Sequence, residues 1–200
     1  MTTKTLILAS SSPRRQELIR SLHLPYEIIV SDVNEDTEPG LSPEQIVEQL
    51  SRRKAEAVYE RCKREKDSIR QGIVIGSDTI VVLDGEVLGK PADEEDSFRM
   101  LQSLQGRPHQ VFSGVACIDL ATGEQLVSHQ RTNVYMKPLT EEQIRRYIST
   151  GEPKDKAGSY AIQGLGATIV ERIEGDYFNV VGLPMSLLSD LLGRLGVTVI

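Results

Sequence analysis

The stretch Gly72-Ile73-Val74-Ile75-Gly76-Ser77-Asp78-Thr79-Ile80-Val81-Val82-Leu83-Asp84-Gly85-Glu86-Val87-Leu88-Gly89 decides the fold class. Its first part is β-branched and apolar, interrupted only by Gly76-Ser77-Asp78-Thr79, and reads as a strand. Asp84-Gly85 is the residue pair a type I′ turn requires, so Glu86 to Gly89 is expected to return antiparallel. In that register Lys90 falls opposite Thr79, one residue from Asp78.

Outward from this hairpin, strands alternate with helices. Thr5 to Ala9 reads as a strand that runs into Ser10-Ser11-Ser12-Pro13, with Ser12 as N-cap and Pro13 as first helical residue. Leu18, Ile19 and Leu22 supply a buried stripe, and Tyr26 to Val30 a second strand. An acidic loop follows from Ser31 to Gly40. Ser42-Pro43-Glu44-Gln45 is a capping box that opens a helix to about Cys62, with a charged connector from Lys63 to Gly72.

Asp93 caps a helix carrying Phe98, Leu101 and Leu104, which Gly106 and Pro108 stop. His109 to Leu120 and Gln125 to Lys137 form a long hairpin around Ala121-Thr122-Gly123. Thr140-Glu141-Glu142-Gln143 is a second capping box, and its helix ends at Gly151. Glu152 to Gly166 reads as a polar, glycine-bearing loop, followed by two short strands and a helix from Pro184 to Leu195. The tally is α/β: a mixed twisted sheet with antiparallel hairpins flanked by helices. A purely parallel dinucleotide-binding sheet does not fit, and neither G-x-G-x-x-G nor G-x-x-x-x-G-K-[ST] is present.

At 200 residues the chain is long enough to bury a core without disulfides or metals. Its 23 basic and 29 acidic side chains leave a net charge of −6, which argues against nucleic-acid binding but not against an anionic small ligand. Cys62 and Cys117, like His23, His109 and His129, lack metal-site spacing. No run reaches the roughly 18 apolar residues of a membrane span. Met1 to Leu8 lacks a signal-peptide pattern, so a cytoplasmic location is expected.

Five places can carry chemistry. Arg14 and Arg15 stand in the first turn of a helix, where cations oppose the macrodipole and a bound anion would compensate; pairing with surface acids is the alternative. Lys54 falls with Ile46, Leu50 and Val58 on one apolar helix face, so its ammonium either snorkels outward or meets a negative charge. Asp78 lies in mid-strand, where a buried carboxylate needs a metal, a cation or a hydrogen-bonded water; a solvated strand end is the other reading. Glu35, in an acidic loop, is either solvated or joins Asp78 as an oxygen ligand for Mg²⁺ or Mn²⁺. Gln163, between Ile162 and Gly164, carries an amide that can pair with a pyrimidine ring or simply bond to backbone.

These segments occur together in one family. Leu8-Ala9-Ser10-Ser11-Ser12-Pro13-Arg14-Arg15, Lys54-Ala55, Gly76-Ser77-Asp78-Thr79 and Gly89-Lys90-Pro91 open the series. Gly151-Glu152-Pro153-Lys154-Asp155-Lys156-Ala157-Gly158, Ile162-Gln163-Gly164 and Val181-Gly182-Leu183-Pro184 complete it. In that order they resemble the Maf family, which is similar to nucleoside triphosphate pyrophosphatases. The resemblance covers essentially the whole chain, residues 1–200, as a single domain. It implies an α/β fold of two lobes around a central cleft, like inosine triphosphate pyrophosphatase, and a cytoplasmic homodimer with a divalent metal, Mg²⁺ or Mn²⁺.

The Ile-Gln-Gly form resembles the branch that hydrolyses dTTP and UTP. It implies Arg14, Thr79 and Gln163 as specificity positions and Asp78 as proton acceptor. Ser10, Arg15, Lys54 and Lys90 match phosphate positions, and Glu35 with Asp78 a metal site. The alternative is a nucleotide-sensing regulator of septum formation without catalysis, which would not need Asp78 alongside Glu35. A purine-directed pyrophosphatase is a third reading, which Gln163 disfavours.

Overall fold

The computed structural model describes residues 4–65 and 71–200. Seven strands form one mixed sheet. β1 (Thr5–Leu8) lies between β2 (Tyr26–Ile28) and β3 (Gly72–Leu83), parallel to both. β5 (Pro108–Asp119), β6 (Gln125–Met136) and β7 (Val170–Glu174) continue from β3 in that order, and β4 (Glu86–Leu88) pairs antiparallel with β3.

The Asp84-Gly85 turn has both residues at positive φ, as type I′ geometry demands, and sets Leu83 against Glu86 and Val81 against Leu88. The pairing ends at Val81 and Leu88, so Lys90, two residues further on and exposed, is not paired with Thr79. Asp78 does not interrupt its strand: β3 is continuous through Gly76-Ser77-Asp78-Thr79.

Contacts divide the chain into two compact units, residues 1–78, 113–130 and 182–200 in the first and 79–112 and 131–181 in the second. The first unit shows why its strands read as unbroken apolar runs. Leu6, Leu8, Ile73, Ile75, Val115 and Cys117 pack with α1 (Pro13–Arg20) and α6 (Met185–Arg194). The alternate residues Ile7, Val74, Ala116 and Ile118 pack with Ala55 and Val58 of α2 (Pro43–Glu65). A sheet covered on both faces needs apolar side chains at every position. The second unit gathers Val81, Leu83, Val111 and Val134 with α3 (Glu94–Leu104) and α4 (Glu141–Ser149).

Both capping boxes and the Asp93 cap stand as read, whereas Ser12 holds the N-cap position of α1 without a side-chain bond. Gln45 and Ser42 bond reciprocally, Thr140 and Gln143 do the same, and Asp93 accepts the Asp96 N–H. α2 runs three residues further than expected, and residues 66–70 of the expected connector lie outside the described residues. Glu152 to Gly166 contains short 3-10 turns. Of the two short strands expected after it, the second is a helix, α5 (Tyr177–Val181). Asp176 Oδ1 accepts the Phe178 N–H at its start, and Asn179 donates to Val111 O and Thr132 Oγ1. Those tertiary bonds override the strand preference of an aromatic, β-branched stretch. No described helix is long and apolar enough to cross a membrane.

Candidate active site

Side chains alternate along β3, so Val74, Gly76 and Asp78 share the face that packs on α2. A Cβ at Gly76 would stand 2.1 Å from the Ser51 carbonyl oxygen and 2.7 Å from the Ala55 nitrogen. On β5, a Cβ at Gly114 would stand 2.2 Å from the Val47 carbonyl oxygen. Two glycines therefore let the backbone of α2 lie directly on the sheet. That approach sets Lys54 against Asp78.

The Lys54 ammonium donates to Asp78 Oδ1 at 2.6 Å and meets Glu35 Oε1 at 2.7 Å. Lys54 and Asp78 are each 8% exposed, whereas the Glu35 side chain is half open to solvent. Snorkelling is thus overturned: the ammonium turns inward onto two carboxylates. Desolvating a lysine and an aspartate costs several kcal/mol per ion, and an apolar pair of similar volume would be about as stable. Stability alone does not account for charges here.

Glu35 reaches Lys54 from an irregular loop whose backbone is gripped from α2. The Arg53 guanidinium donates to the carbonyls of Asn34 and Asp36, the latter at 2.9 Å, on either side of Glu35. Sequence reading passed over Arg53, because a side chain holding distant carbonyls leaves no pattern in the chain.

At the start of α1, Ser12 makes no side-chain cap and the first turn holds no acid. Ser10 Oγ accepts the Ser12 N–H at 3.2 Å. Arg15 Nε donates to the Gly182 carbonyl at 2.7 Å, and Ser77 Oγ donates to the same oxygen at 3.0 Å. Ser77 faces away from Asp78 by strand alternation; a hydroxyl in an apolar strand was the available signal for this anchor.

Burial pulls the Arg15 pKa below its ordinary value, while the Asp78 and Glu35 carboxylates pull it up and Arg14 adds repulsion. Arg15 therefore senses both carboxylates. Arg14 has no hydrogen-bond or ion-pair partner among the described residues. Three cations (Arg14, Arg15, Lys54) and two carboxylates make this part of an acidic chain locally positive, which suits a polyanion.

Ser10, Arg14, Arg15, Glu35, Lys54 and Asp78 all belong to the first unit, and Thr79, Lys90 and Gln163 to the second. Thr79 follows Asp78 on β3 and is half-buried. Gln163 is half-buried, with extended backbone at φ −97°, and leads into the 3-10 turn Gly164–Thr168. Its amide, like the Lys90 ammonium, has no partner among the described residues.

The chain is similar to known proteins over almost its whole length. A protein of Desulforamulus reducens named dTTP/UTP pyrophosphatase is 52% identical over 198 residues, covering 98% of this chain and 100% of its own. One of the same name from Pelotomaculum thermopropionicum is 47% identical over 197 residues, with 98% and 100% covered. Among solved structures, the Staphylococcus aureus Ham1 protein matches with a TM-score of 0.45 and 18% identity over 66% of this chain and 72% of that one. The profile of the family described as Maf-like protein matches residues 5–195. With that match spanning almost every element above, the chain belongs to the Maf family.

Proposed function

We propose that this chain is a nucleoside triphosphate pyrophosphatase that hydrolyses dTTP and UTP to the monophosphate and pyrophosphate. The observation that carries the reading is the buried Lys54–Asp78 pair, shared with Glu35 and sensed by Arg15. The name of the relatives supplies the substrate class.

In the proposed reaction water adds to the α-phosphorus, the bond to the α–β bridging oxygen breaks, and pyrophosphate leaves with that oxygen. Asp78 takes the proton of the attacking water. Such chemistry depends on positioning and charge neutralisation more than on covalent intermediates. Arg14, Arg15, Lys54 and Lys90 oppose the charge of the triphosphate, and Ser10 hydrogen-bonds it. Arg14, Thr79 and Gln163 select the nucleotide. The Gln163 amide can accept from N3–H of uracil or thymine while donating to a ring carbonyl.

Glu35 and Asp78 already direct two carboxylate oxygens at one cation, a donor type that suits Mg²⁺ or Mn²⁺. Among the described residues no group of three His, Cys, Asp or Glu could enclose a metal. Phosphate oxygens and water would complete the coordination, as is usual for Mg²⁺. A divalent ion held there would supply further charge neutralisation and a more acidic water. The reading takes residues 1–200 as one domain and the protein as a cytoplasmic homodimer.

A panel of UTP, dTTP, CTP and ATP, assayed for pyrophosphate with and without Mg²⁺ and Mn²⁺, tests the function. Metal-dependent release from UTP and dTTP, with ATP poor, is expected. Equal rates on ATP and UTP would overturn the pyrimidine reading, and release of phosphate in place of pyrophosphate the cleavage site.

A further inference from the structure

The Gly151-Glu152-Pro153 segment has no role in the chemistry above, yet Glu152 is tied to the turn that presents Gln163. Glu152 Oε1 accepts the Tyr147 hydroxyl at 2.7 Å and the Gly166 N–H at 2.9 Å, and Oε2 accepts the Leu165 N–H at 3.0 Å. The Tyr147 oxygen in turn accepts the Ala161 N–H at 3.2 Å. Gln163 thus sits between two fastened points, one two residues before it and one two residues after.

The turn is shaped to admit this carboxylate. Gly164 has φ +67°, and a Cβ there would stand 2.5 Å from Glu152 Oε2. A Cβ at Gly166 would stand 1.9 Å from the Ala161 carbonyl oxygen, so the loop folds back on itself too closely for any other residue. Glu152 is itself held from behind, where Lys156 Nζ donates to its backbone carbonyl at 2.9 Å. Burial pushes its carboxyl upward, but the bonds from Tyr147, Gly166 and Leu165 hold it below the ordinary carboxylate range.

Building on the assignment of Gln163 to base recognition, we propose that Glu152 is a positioning residue that sets the Gln163 amide for the pyrimidine ring through its bonds to Leu165, Gly166 and Tyr147. The carboxylate suits the task because it accepts from three donors at once. A glutamine of the same shape must turn an NH₂ toward one of them. The two bonds to backbone fix the exit from Gln163, and the tyrosine relay fixes its approach.

The experiment compares UTP and ATP kinetics in wild type, E152Q, Y147F, Q163A and E152Q/Q163A, with amide hydrogen exchange over residues 161–168. E152Q should raise KM for UTP about tenfold with kcat within about threefold, and should cut the UTP-over-ATP preference accordingly. Y147F, which removes only a hydroxyl, should show a smaller loss in the same direction. In the Q163A background E152Q should add nothing to the loss of preference, because both act through one amide. Exchange at 161–168 should quicken about tenfold in E152Q without nucleotide, at an unchanged global melting temperature.

Equal losses on UTP and ATP, multiplicative effects of E152Q and Q163A, or unaltered exchange would overturn the role of Glu152. A wild-type protein without preference for UTP, or a Q163A variant that keeps it, would overturn the role of Gln163 instead, and the positioning proposal with it.

Discussion

Two lysine–aspartate pairs in the first unit have the same length and different surroundings. Lys4 meets Asp119 Oδ2 at 2.6 Å, and Lys54 meets Asp78 Oδ1 at 2.6 Å. Around Asp119 the hydrogen bonds are used for structure: Oδ1 accepts the N–H groups of Ala121 and Thr122, and Lys4 also donates to the Leu195 carbonyl. That pair ties the β5–β6 turn to the end of α6. Around Asp78, Oδ2 has no protein partner among the described residues, and Lys54 is shared with a second carboxylate. Pair distance therefore says little about role; what the remaining oxygen touches says more. A saturated carboxylate staples a fold, and one with an open oxygen can take a proton or a metal.

The largest effect that sharpens this contrast should come from Lys54→Met. Loss of one partner from a buried pair costs about 3–5 kcal/mol, and turnover should fall by about 10²-fold or more as phosphate charge goes unopposed. Chemical denaturation and pyrophosphate release read the two losses. The account weakens if Lys54→Met keeps full activity in the folded state.

Gly76→Ala tests the crossing that makes the pair. Its Cβ would collide with backbone of α2, and overpacking of this kind costs about 1–3 kcal/mol. The shift should also part Lys54 from Asp78, so kcat should fall along with stability. A variant with wild-type denaturation midpoint and rate would show that the crossing is not what places the lysine.

Acid should act on stability through the closed pair and through His109. Burial raises the Asp119 pKa, but the hydrogen bonds from Lys4, Ala121 and Thr122 outweigh it and leave the group below its usual range. Its contribution is therefore complete above the ordinary carboxylate value and lost as pH falls through the lower folded one. His109, 3% exposed, is lowered by burial to about 4 from 6.5. The unfolded chain binds the proton first, so stability is full above 6.5 and declines toward pH 4, by about 3 kcal/mol if the whole shift is realised. Denaturant midpoints should fall between pH 7 and 4, where His109→Phe should flatten the slope, and fall further below pH 4, where Asp119→Asn should flatten it. A wild-type slope unaffected by His109→Phe would contradict the histidine assignment.

The smallest effect is expected at Arg53. Arg53→Gln should loosen the backbone around Glu35 and raise the Mg²⁺ concentration for half-maximal activity several-fold, with kcat little changed. An unaltered metal dependence would mean that Glu35 is held without it.

Much of the architecture was legible because local rules and tertiary demands agree. Asp84-Gly85, both capping boxes and the double-sided apolar runs of β1, β3 and β5 each express a local requirement that the fold keeps. The failures are places where a distant group decides. Gly76 reads only as a gap in the apolar pattern of its strand until the backbone of α2 is seen against it. Tyr177-Phe178-Asn179-Val180-Val181 reads as a strand until Asn179 is found bonded to β5 and β6. At the site, periodicity placed Lys54 on an apolar face, but could not tell outward snorkelling from an inward ion pair. The grip of Arg53 on the Glu35 loop, and the use of one Gly182 carbonyl by both Arg15 and Ser77, were beyond any spacing rule.

The most direct measurement is UMP and pyrophosphate formation from UTP by wild type, Asp119→Asn and Asp78→Asn, at equal concentrations of folded protein. The account predicts that Asp119→Asn matches wild type in rate, although it unfolds more easily, and that Asp78→Asn binds UTP but forms almost no product. An Asp78→Asn variant that turns over UTP at the wild-type rate would contradict it.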